Sequence, residues 1–289
     1  MSKEIVAGIS YANETAQVAV LEIRKGDIRV LHLEEYKNDK TGDLWFLQNL
    51  ITRKEKTFKK ISKVSVALDS ASVVLHSFPI DSSLSQVERN EQVAWELSNL
   101  IRGFNGKEYI NDVHVLQMHA QDHVADSFVV AAKRTDVFKI QHALADRKFE
   151  LHIVDTNHFG GQYALLVNYP EVKMKTVALA SVGEHRIDIG TLNHGRLTSY
   201  CYSKHSIEDE AVAFLSGFIS KLPATDLFVF GTGIDSSLMR KLQTECSFVV
   251  TKLNPFRRLS VASSVRDFSA LAGKEHHFGA CVGVALRKE

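Results

Sequence analysis

The feature that most constrains the fold of this chain is an internal repeat of one three-stranded module. Residues Glu4–Tyr36 and Lys175–Lys204 each predict a strand, a tight turn, a strand, a second tight turn and a third strand. The strands are IVAGIS, AQVAVLEI and IRVLHLEEY in the first copy, and TVALAS, HRIDIGTL and RLTSYCYS in the second. Two halves built on one plan enclose a cleft, and such a cleft is a natural ligand site.

The composition is typical of a soluble globular protein. Of the 289 residues, 45% are hydrophobic and 24% are charged, and the net charge of +1 argues against nucleic acid as the main partner. We find no apolar run near the roughly 18 residues of a membrane span and no signal-peptide core. Cys201, Cys246 and Cys281 are widely spaced, which fits reduced thiols. We expect a cytoplasmic protein and leave peripheral attachment to a membrane complex open.

The remaining segments predict helices that alternate with strands, which is typical of α/β architecture. Pro79 is expected to end a strand, Ser83 or Ser85 to cap the following helix, and Pro170 to mark the crossing between halves. The predicted helices are 43–56, 83–102, 135–147, 156–167, 206–221, 236–245 and 278–288. The predicted strands outside the repeat are 64–69, 72–78, 112–120, 126–133, 150–155, 226–233 and 247–253.

The first turn of each module decides what chemistry the cleft can support. In the first copy Gly8, Ser10 and Asn13 lie at this turn, and in the second copy Ser181 and Gly183 do. Backbone N–H groups of such a turn can hold phosphate, but phosphoryl transfer also needs a carboxylate near Mg²⁺. Serine stands where that acid would be useful in both copies. Two ordinary hairpins are the alternative interpretation.

A glycine turn in the second half is a further candidate for nucleotide binding. Gly231, Thr232 and Gly233 follow a buried strand and precede a helix that opens at Asp235 or Ser236. Backbone donors at a helix start suit a phosphate or a ribose. The alternative is that a strand-to-helix turn needs glycine for its own geometry.

Histidines and cysteines do not form a recognisable site in the sequence. His119 and His123 flank a predicted turn, and the adjacent His276 and His277 cannot easily converge on one ion. We interpret them as surface or strand-end residues. The cysteines are interpreted as buried, inert thiols. We predict no catalytic residue and no metal ligand.

One strongly basic run, Arg53–Lys63, has two interpretations. A solvated helix end favours lysine and arginine because of the helix dipole. Attraction to an anionic membrane surface is the other interpretation.

Several segments, in their order and spacing, resemble a known superfamily. They are IVAGISYANETAQVAVLEI, VALDSASVVLHSFPID, FVVAAKRTDVFKIQHALADRKFELHIVD, LFVFGTGIDSSLMRKL, LNPF and FGACVGVALR. The chain resembles the actin/Hsp70/sugar-kinase superfamily and, within it, the PilM-like proteins of type IV pilus and type II secretion assembly, which are related to FtsA. The resemblance implies a duplicated actin-like (ribonuclease H-like) α/β fold, with two halves around a cleft and an inserted FtsA-like subdomain.

The same resemblance implies a division of the chain. Residues 1–80 form the first actin-like half, which 156–172 complete; 81–155 form the inserted subdomain, and 173–289 the second half.

The chain departs from the family pattern at the phosphate turns. The family usually has Gly-Ile-Asp-Ile-Gly where this chain has Gly8-Ile9-Ser10-Tyr11-Ala12, and Gln17 replaces a common lysine. The second turn, Ser181-Val182-Gly183, keeps only the glycine. The acids that would anchor a metal are absent, and Tyr11 is expected to crowd the phosphates. We predict a degenerate nucleotide cleft that binds ATP weakly or not at all.

The resemblance implies a non-catalytic cytoplasmic scaffold at the inner-membrane face of a pilus or secretion machine. Its partner is expected to be the cytoplasmic N-terminal tail of a bitopic inner-membrane protein, bound in or beside the inserted subdomain. The alternative is an active ATPase or small-molecule kinase that uses Asp155 or Glu14 as its acid. A third interpretation, an actin-like filament former, has no marker in the sequence.

Overall fold

A computed structural model of the protein describes residues 3–12, 15–37, 44–47, 58–119, 123–204, 208–221, 226–246, 248–263, 265 and 271–288. Its strands are β1 (Glu4–Ala12), β2 (Thr15–Arg24), β3 (Asp27–Lys37), β4 (Lys63–Leu68), β5 (Val74–Asp81), β6 (Tyr109–His119), β7 (Val124–Lys133), β8 (Glu150–Thr156), β9 (Thr176–Val182), β10 (Arg186–Asn193), β11 (Arg196–Lys204), β12 (Asp226–Phe230), β13 (Val249–Lys252) and β14 (Ser260–Val261). Its α-helices are α1 (Gln86–Leu100), α2 (Arg134–Ala145), α3 (Asn157–Asn168), α4 (Glu208–Ile219), α5 (Ser236–Glu245) and α6 (Gly279–Leu286).

The two predicted modules are the cores of two sheets with the same topology, which confirms the duplicated α/β architecture. The first sheet has the order β14-β3-β2-β1-β4-β8, and the second has the order β11-β10-β9-β12-β13. In each sheet the three module strands pair antiparallel with one another. A fourth strand (β4 or β12) pairs in parallel with the first module strand, and a fifth (β8 or β13) pairs in parallel with the fourth.

Two-residue turns set the register of the outer hairpin in each module. Arg24 pairs with Asp27, and Asn193 pairs with Arg196. Gly26 and Gly195 have φ of 82° and 79°, and His194 has φ of 51°. A two-residue hairpin turn needs positive φ because only then does its twist match that of the strands. Gly26 and Gly195 adopt this conformation without the steric cost of a side chain.

A third sheet, with the order β5-β7-β6, is covered on one face by α1. Ser85 caps α1 through a capping box with Glu88. The expectation that Pro79 ends a strand is wrong, since β5 continues to Asp81. β5 is an edge strand, so the missing N–H of a proline can face away from the ladder.

The segment 81–155, predicted to be the insertion, is distributed over two sheets. β6 and β7 belong to the third sheet, which we call the small sheet, and α1 packs on it. β8 instead pairs with β4 in the first sheet. The small sheet also packs against the second half, where the ring of Phe128 lies 4.2 Å from that of Tyr200, and against α3, where the ring of His114 lies 4.3 Å from that of Phe159.

Helices α3 and α6 pack against each other between the two large sheets. A Cβ atom on Gly283 would lie 1.7 Å from the carbonyl oxygen of Gly160, so only glycine permits this helix crossing. α6 is buried along its whole length. β14 pairs in parallel with β3, so residues close to the end of the sequence complete the first sheet; this strand was not predicted.

The other predicted elements agree with the structure to within a few residues at their ends, as expected where helix ends fray. The predicted helix 43–56 lies largely outside the described residues, of which 45–47 are helical. Of the basic run Arg53–Lys63, residues 53–57 also lie outside them; its described part, 58–63, includes a 3₁₀ turn, Phe58–Lys60, with Phe58 buried. No described helix combines the length and the apolar character needed to cross a membrane.

Candidate functional site: a cleft and an adjoining groove

The cleft between the two modules contains a cavity of about 40 Å³ where the predicted turns meet. Ser10, Gly183, Gly231 and Thr232, four of the predicted site residues, line it. The remaining lining residues are Ala12, Gln17, Asn157, Ser181, Val182, Phe230, His277 and Ala280. Asn13 lies outside the described residues, as does Glu14.

The glycines predicted to approach phosphate instead allow the backbone to pack. A Cβ atom on Gly8 would lie 1.9 Å from the carbonyl oxygen of Cys281 in α6. A Cβ atom on Gly233 would lie 2.2 Å from the carbonyl oxygen of Gly183, and Gly231 has φ of 111°. Neither Gly8 nor Gly233 lines the cavity. The alternative interpretation, that geometry alone demands these glycines, therefore accounts for their positions.

A chain of hydrogen bonds crosses the floor of the cleft. The buried Ser10 hydroxyl donates to Oε1 of Gln17 (3.1 Å), and Nε2 of Gln17 donates to Oε2 of Glu35 (3.2 Å). Nδ1 of His277 lies 2.7 Å from the same Glu35 oxygen. Burial favours the neutral acid, but the hydrogen bond and the charge of His277 outweigh it, so the pKa of Glu35 lies below its ordinary value.

The interpretation of His276 and His277 as surface residues is wrong. His276 is 2% exposed, and its Nε2 atom lies 3.4 Å from the carbonyl oxygen of Ile234. Burial lowers the pKa of His276 to about 4. The two residues precede α6, and the packing of that helix on β1 carries them into the cleft. Their sequence gives no signal of this, because the packing connects distant parts of the chain.

A second cavity of about 260 Å³ adjoins the cleft and contains Asp188, an acid that was not predicted as a site residue. Asp188 of β10 is 4% exposed; it accepts a hydrogen bond from the Tyr200 hydroxyl (2.6 Å) and pairs with Nη2 of Arg186 (2.7 Å). The only sequence signal is an aspartate within the apolar strand RIDIG. The positive charge of Arg186 neutralises the Asp188 carboxylate, and the guanidinium group donates to Oδ1, one of its two oxygens.

Tyr11 does not crowd the cleft, contrary to the prediction. Strand alternation directs its side chain away from Ser10, and its ring stacks on Phe46 with centroids 4.0 Å apart. Burial raises the pKa of the Tyr11 hydroxyl. Its carbonyl oxygen accepts a hydrogen bond from Nδ2 of Asn157 (2.9 Å), the first residue of α3. The end of β1 thus contacts the cleft on one side and a separate cavity on the other.

That separate cavity belongs to a groove between the small sheet and the first sheet. It has two cavities, of about 290 Å³ and about 500 Å³, which share Leu68, Val73 and Ala132. The larger cavity is lined by apolar side chains, which include Ile110 and Val130, and its remaining end is polar. Its volume falls within the range of protein ligand sites. We call these two cavities together the subdomain groove.

The polar end of the subdomain groove contains a buried ion pair. Arg287 donates to the carboxylate of Asp155, whose side chain is 7% exposed. Burial raises the pKa of Asp155 to about 6, although Arg287 opposes this shift. Burial also lowers the pKa of His114 in the same wall. Asp155, the acid of the alternative ATPase hypothesis, therefore lies in the subdomain groove and lines neither cavity of the cleft.

Of the three thiols predicted to be buried and inert, only Cys281 is buried; Cys201 and Cys246 are partly exposed. Burial raises the pKa of Cys201 to about 11 and raises that of Cys281, which is fully buried in α6, still further. The described residues include no cluster of three or more His, Cys, Asp or Glu side chains that could hold a metal ion.

Comparison with known proteins identifies the family. Residues 13–205 match the family described as type IV pilus assembly protein PilM. No curated protein matches the chain by sequence.

Solved structures show the same fold. The PilM-PilN type IV pilus biogenesis complex matches with a TM-score of 0.74 and 16% identity over 98% of both chains. A Bacteroides thetaiotaomicron protein with an actin-like ATPase fold matches with a TM-score of 0.55 and 15% identity over 86% of this chain and 91% of that one. The cytoplasmic domain of EpsL, an inner membrane component of the Vibrio cholerae type II secretion system, gives 0.54 and 11% identity over 100% and 96%.

The predicted actin-like fold is thereby confirmed, and the family match covers more than half of the chain. The chain belongs to the PilM family of type IV pilus assembly proteins.

Proposed function

We propose that this protein is a non-catalytic scaffold of a type IV pilus or related secretion assembly. It lies at the cytoplasmic face of the inner membrane and binds the cytoplasmic N-terminal tail of a bitopic membrane partner. The observation that carries the proposal is the subdomain groove, whose larger cavity measures about 500 Å³ and combines an apolar lining with a charged end; the two cavities of the cleft measure about 40 Å³ and about 260 Å³.

We infer that the cleft binds a nucleotide weakly or not at all. Among the described residues, no carboxylate lines the 40 Å³ cavity, where the predicted phosphate turns meet; the carboxylates of Asp69, Glu184 and Asp188 line the 260 Å³ cavity beside it. Ser10 is already hydrogen-bonded to Gln17, and Asp188 in the neighbouring cavity is paired with Arg186. These features support a degenerate nucleotide cleft.

The subdomain groove suits a short peptide. Its apolar lining can bury alternate side chains, and the charges at its polar end can fix the direction of a bound chain. The similar structures are a complex of PilM with PilN and a domain of an inner membrane secretion component. An inner-membrane partner is therefore the class of ligand that we assign to this groove.

Calorimetric titration tests the partner. The purified protein is titrated with a synthetic peptide of the N-terminal cytoplasmic tail of the neighbouring bitopic membrane protein, with a scrambled peptide as the control. We expect saturable binding of the native peptide only. Absence of binding at high micromolar peptide would contradict the scaffold proposal.

Two matched variants test the place of binding. Ile110→Asp puts a charge into the subdomain groove, and Val87→Asp puts the same charge on the outer face of α1. Both side chains are exposed, at 38% and 67%, so neither variant should unfold the protein. We expect Ile110→Asp to weaken peptide binding at least tenfold and Val87→Asp to leave it unchanged. Equal affinities would place the peptide elsewhere.

A third titration addresses the alternative function. We expect Mg-ATP to give no heat of binding at micromolar concentrations and no release of phosphate. Micromolar affinity with turnover would instead support the ATPase or kinase hypothesis. Loss of that turnover in Asp155→Asn would assign the acid.

A further inference from the structure

The adjacent histidines His276 and His277 contact opposite sides of the cleft. The backbone carbonyl of His276 accepts a hydrogen bond from the N–H of Gly231 (3.1 Å), in the glycine turn of the second half. Its ring reaches the carbonyl oxygen of Ile234 in the same turn (3.4 Å). The ring of His277 instead meets Glu35 of β3, in the first half. A single dipeptide thus joins the two halves.

The contact on the first half is rigidly supported. Glu35 also accepts a hydrogen bond from Gln17 of β2, and Gln17 accepts one from Ser10 of β1. The side chains of His277 and Glu35 are 12% and 26% exposed, so water screens their attraction less than it would at the surface. All three strands of the first module are therefore connected to His277.

The same contact lies beside the cleft cavity. His277 lines the 40 Å³ cavity together with Ser10 from the first half and with Gly183 and Thr232 from the second. The two halves cannot separate at this point unless the contact between His277 and Glu35, or that between His276 and the glycine turn, breaks.

We propose that His277 and Glu35 form a latch that keeps the cleft shut, with His276 anchoring the latch to the glycine turn. The chain itself thereby joins the halves at the place where the predicted turns converge. This inference goes beyond the scaffold proposal, because it concerns the cleft and requires no partner.

Hydrogen exchange of the full chain, followed by mass spectrometry, tests the latch. Glu35→Gln keeps the shape of the side chain and removes its charge, and His277→Ala removes the ring. The readout is the exchange rate of peptides that contain residues 8–12, 181–186 and 230–234, divided by that of β7 in the small sheet. This ratio separates local opening of the cleft from a general loss of stability.

We expect both latch variants to raise this ratio at least tenfold. The control is His142→Ala, which removes an exposed histidine of α2 that lies outside all of the measured peptides; we expect the wild-type ratio. A wild-type ratio in Glu35→Gln and His277→Ala would overturn the proposal, as would a tenfold rise in His142→Ala.

Discussion

Gly8 of β1 lies directly against Cys281 of α6, so close that a Cβ atom on Gly8 would stand 1.9 Å from the Cys281 carbonyl oxygen. Neither backbone can move away, because β1 is hydrogen-bonded on both sides and α6 is fully buried. The strand that carries the first predicted phosphate turn is therefore also the surface on which the last helix packs.

Gly8→Ala should lower the free energy of unfolding by about 3 kcal/mol or more, because the added methyl overlaps backbone atoms. Gly217→Ala in α4 is the control: nothing lies within 4 Å of its Cβ position, and alanine favours a helix over glycine by about 1 kcal/mol. Urea unfolding measures both. A Gly8→Ala variant as stable as the wild type would show that the helix can shift.

The stability of the protein should decrease as the pH falls below neutral, in part because of His158. Burial lowers the pKa of His158 from 6.5 to about 4 in the folded state, although the charge of Asp188 opposes this. The unfolded chain therefore binds a proton between pH 6.5 and 4 that the folded chain does not, so acid favours unfolding. The contribution is about 3 kcal/mol over this window.

His158→Phe should remove this part of the pH dependence while keeping a ring of similar shape in the core. Urea unfolding at pH 7 and pH 5 measures the difference. Some dependence of the same sign should remain, because the pKa of His276 is also lowered to about 4. A wild-type pH dependence in His158→Phe would mean that His158 does not titrate as described.

Arg287→Met should destabilise the protein by about 3–5 kcal/mol at pH 7, because it leaves the buried carboxylate of Asp155 without its cation. The pKa of Asp155, already about 6, should rise further. The folded state then holds a proton that the unfolded state releases above pH 3.8, so the loss of stability grows as the pH rises.

Arg257→Met is the matched control, since Arg257 pairs with Glu171 at the surface, where solvent screens the attraction and such pairs contribute little to stability. Chemical unfolding at pH 5 and pH 8 tests both variants. Asp155→Asn combined with Arg287→Met should regain much of the lost stability. If both arginine variants lose equal stability, burial of the Asp155 pair has no energetic consequence.

Ser85→Ala should cost about 1 kcal/mol by removing the cap of α1. The Ser85 hydroxyl accepts from the Glu88 N–H, and the Glu88 carboxylate accepts from the Ser85 N–H (2.8 Å). Ser98→Ala, within the same helix, is the control and should be neutral. Thermal unfolding compares them; equal melting temperatures would mean that the cap makes no net contribution.

The sequence predicted those parts of the fold that depend on local pattern. Alternating apolar residues and turn residues such as Gly26 and Gly195 specify the hairpins without reference to the rest of the chain. Ser85 and Glu88 likewise mark the start of α1.

The sequence could not predict contacts that depend on where distant segments meet. β14 is only two residues long, and nothing in Ser260–Val261 indicates that it pairs with β3. The same holds for His277, whose partner Glu35 lies in the other half of the molecule. Four of the predicted site residues therefore do lie together around one cavity. The packing that requires the glycines, and the latch, both depend on the position of α6.

The packing of α6 on β1 has a consequence for synthesis of the protein. At the usual rate of about 5–20 residues per second, the ribosome finishes β1 some tens of seconds before α6 exists. During that time the face of β1 that carries Gly8 has no helix to cover it. The first sheet therefore stays incompletely covered until α6 has been synthesised. A nascent chain halted before residue 279 should present this apolar face to chaperones.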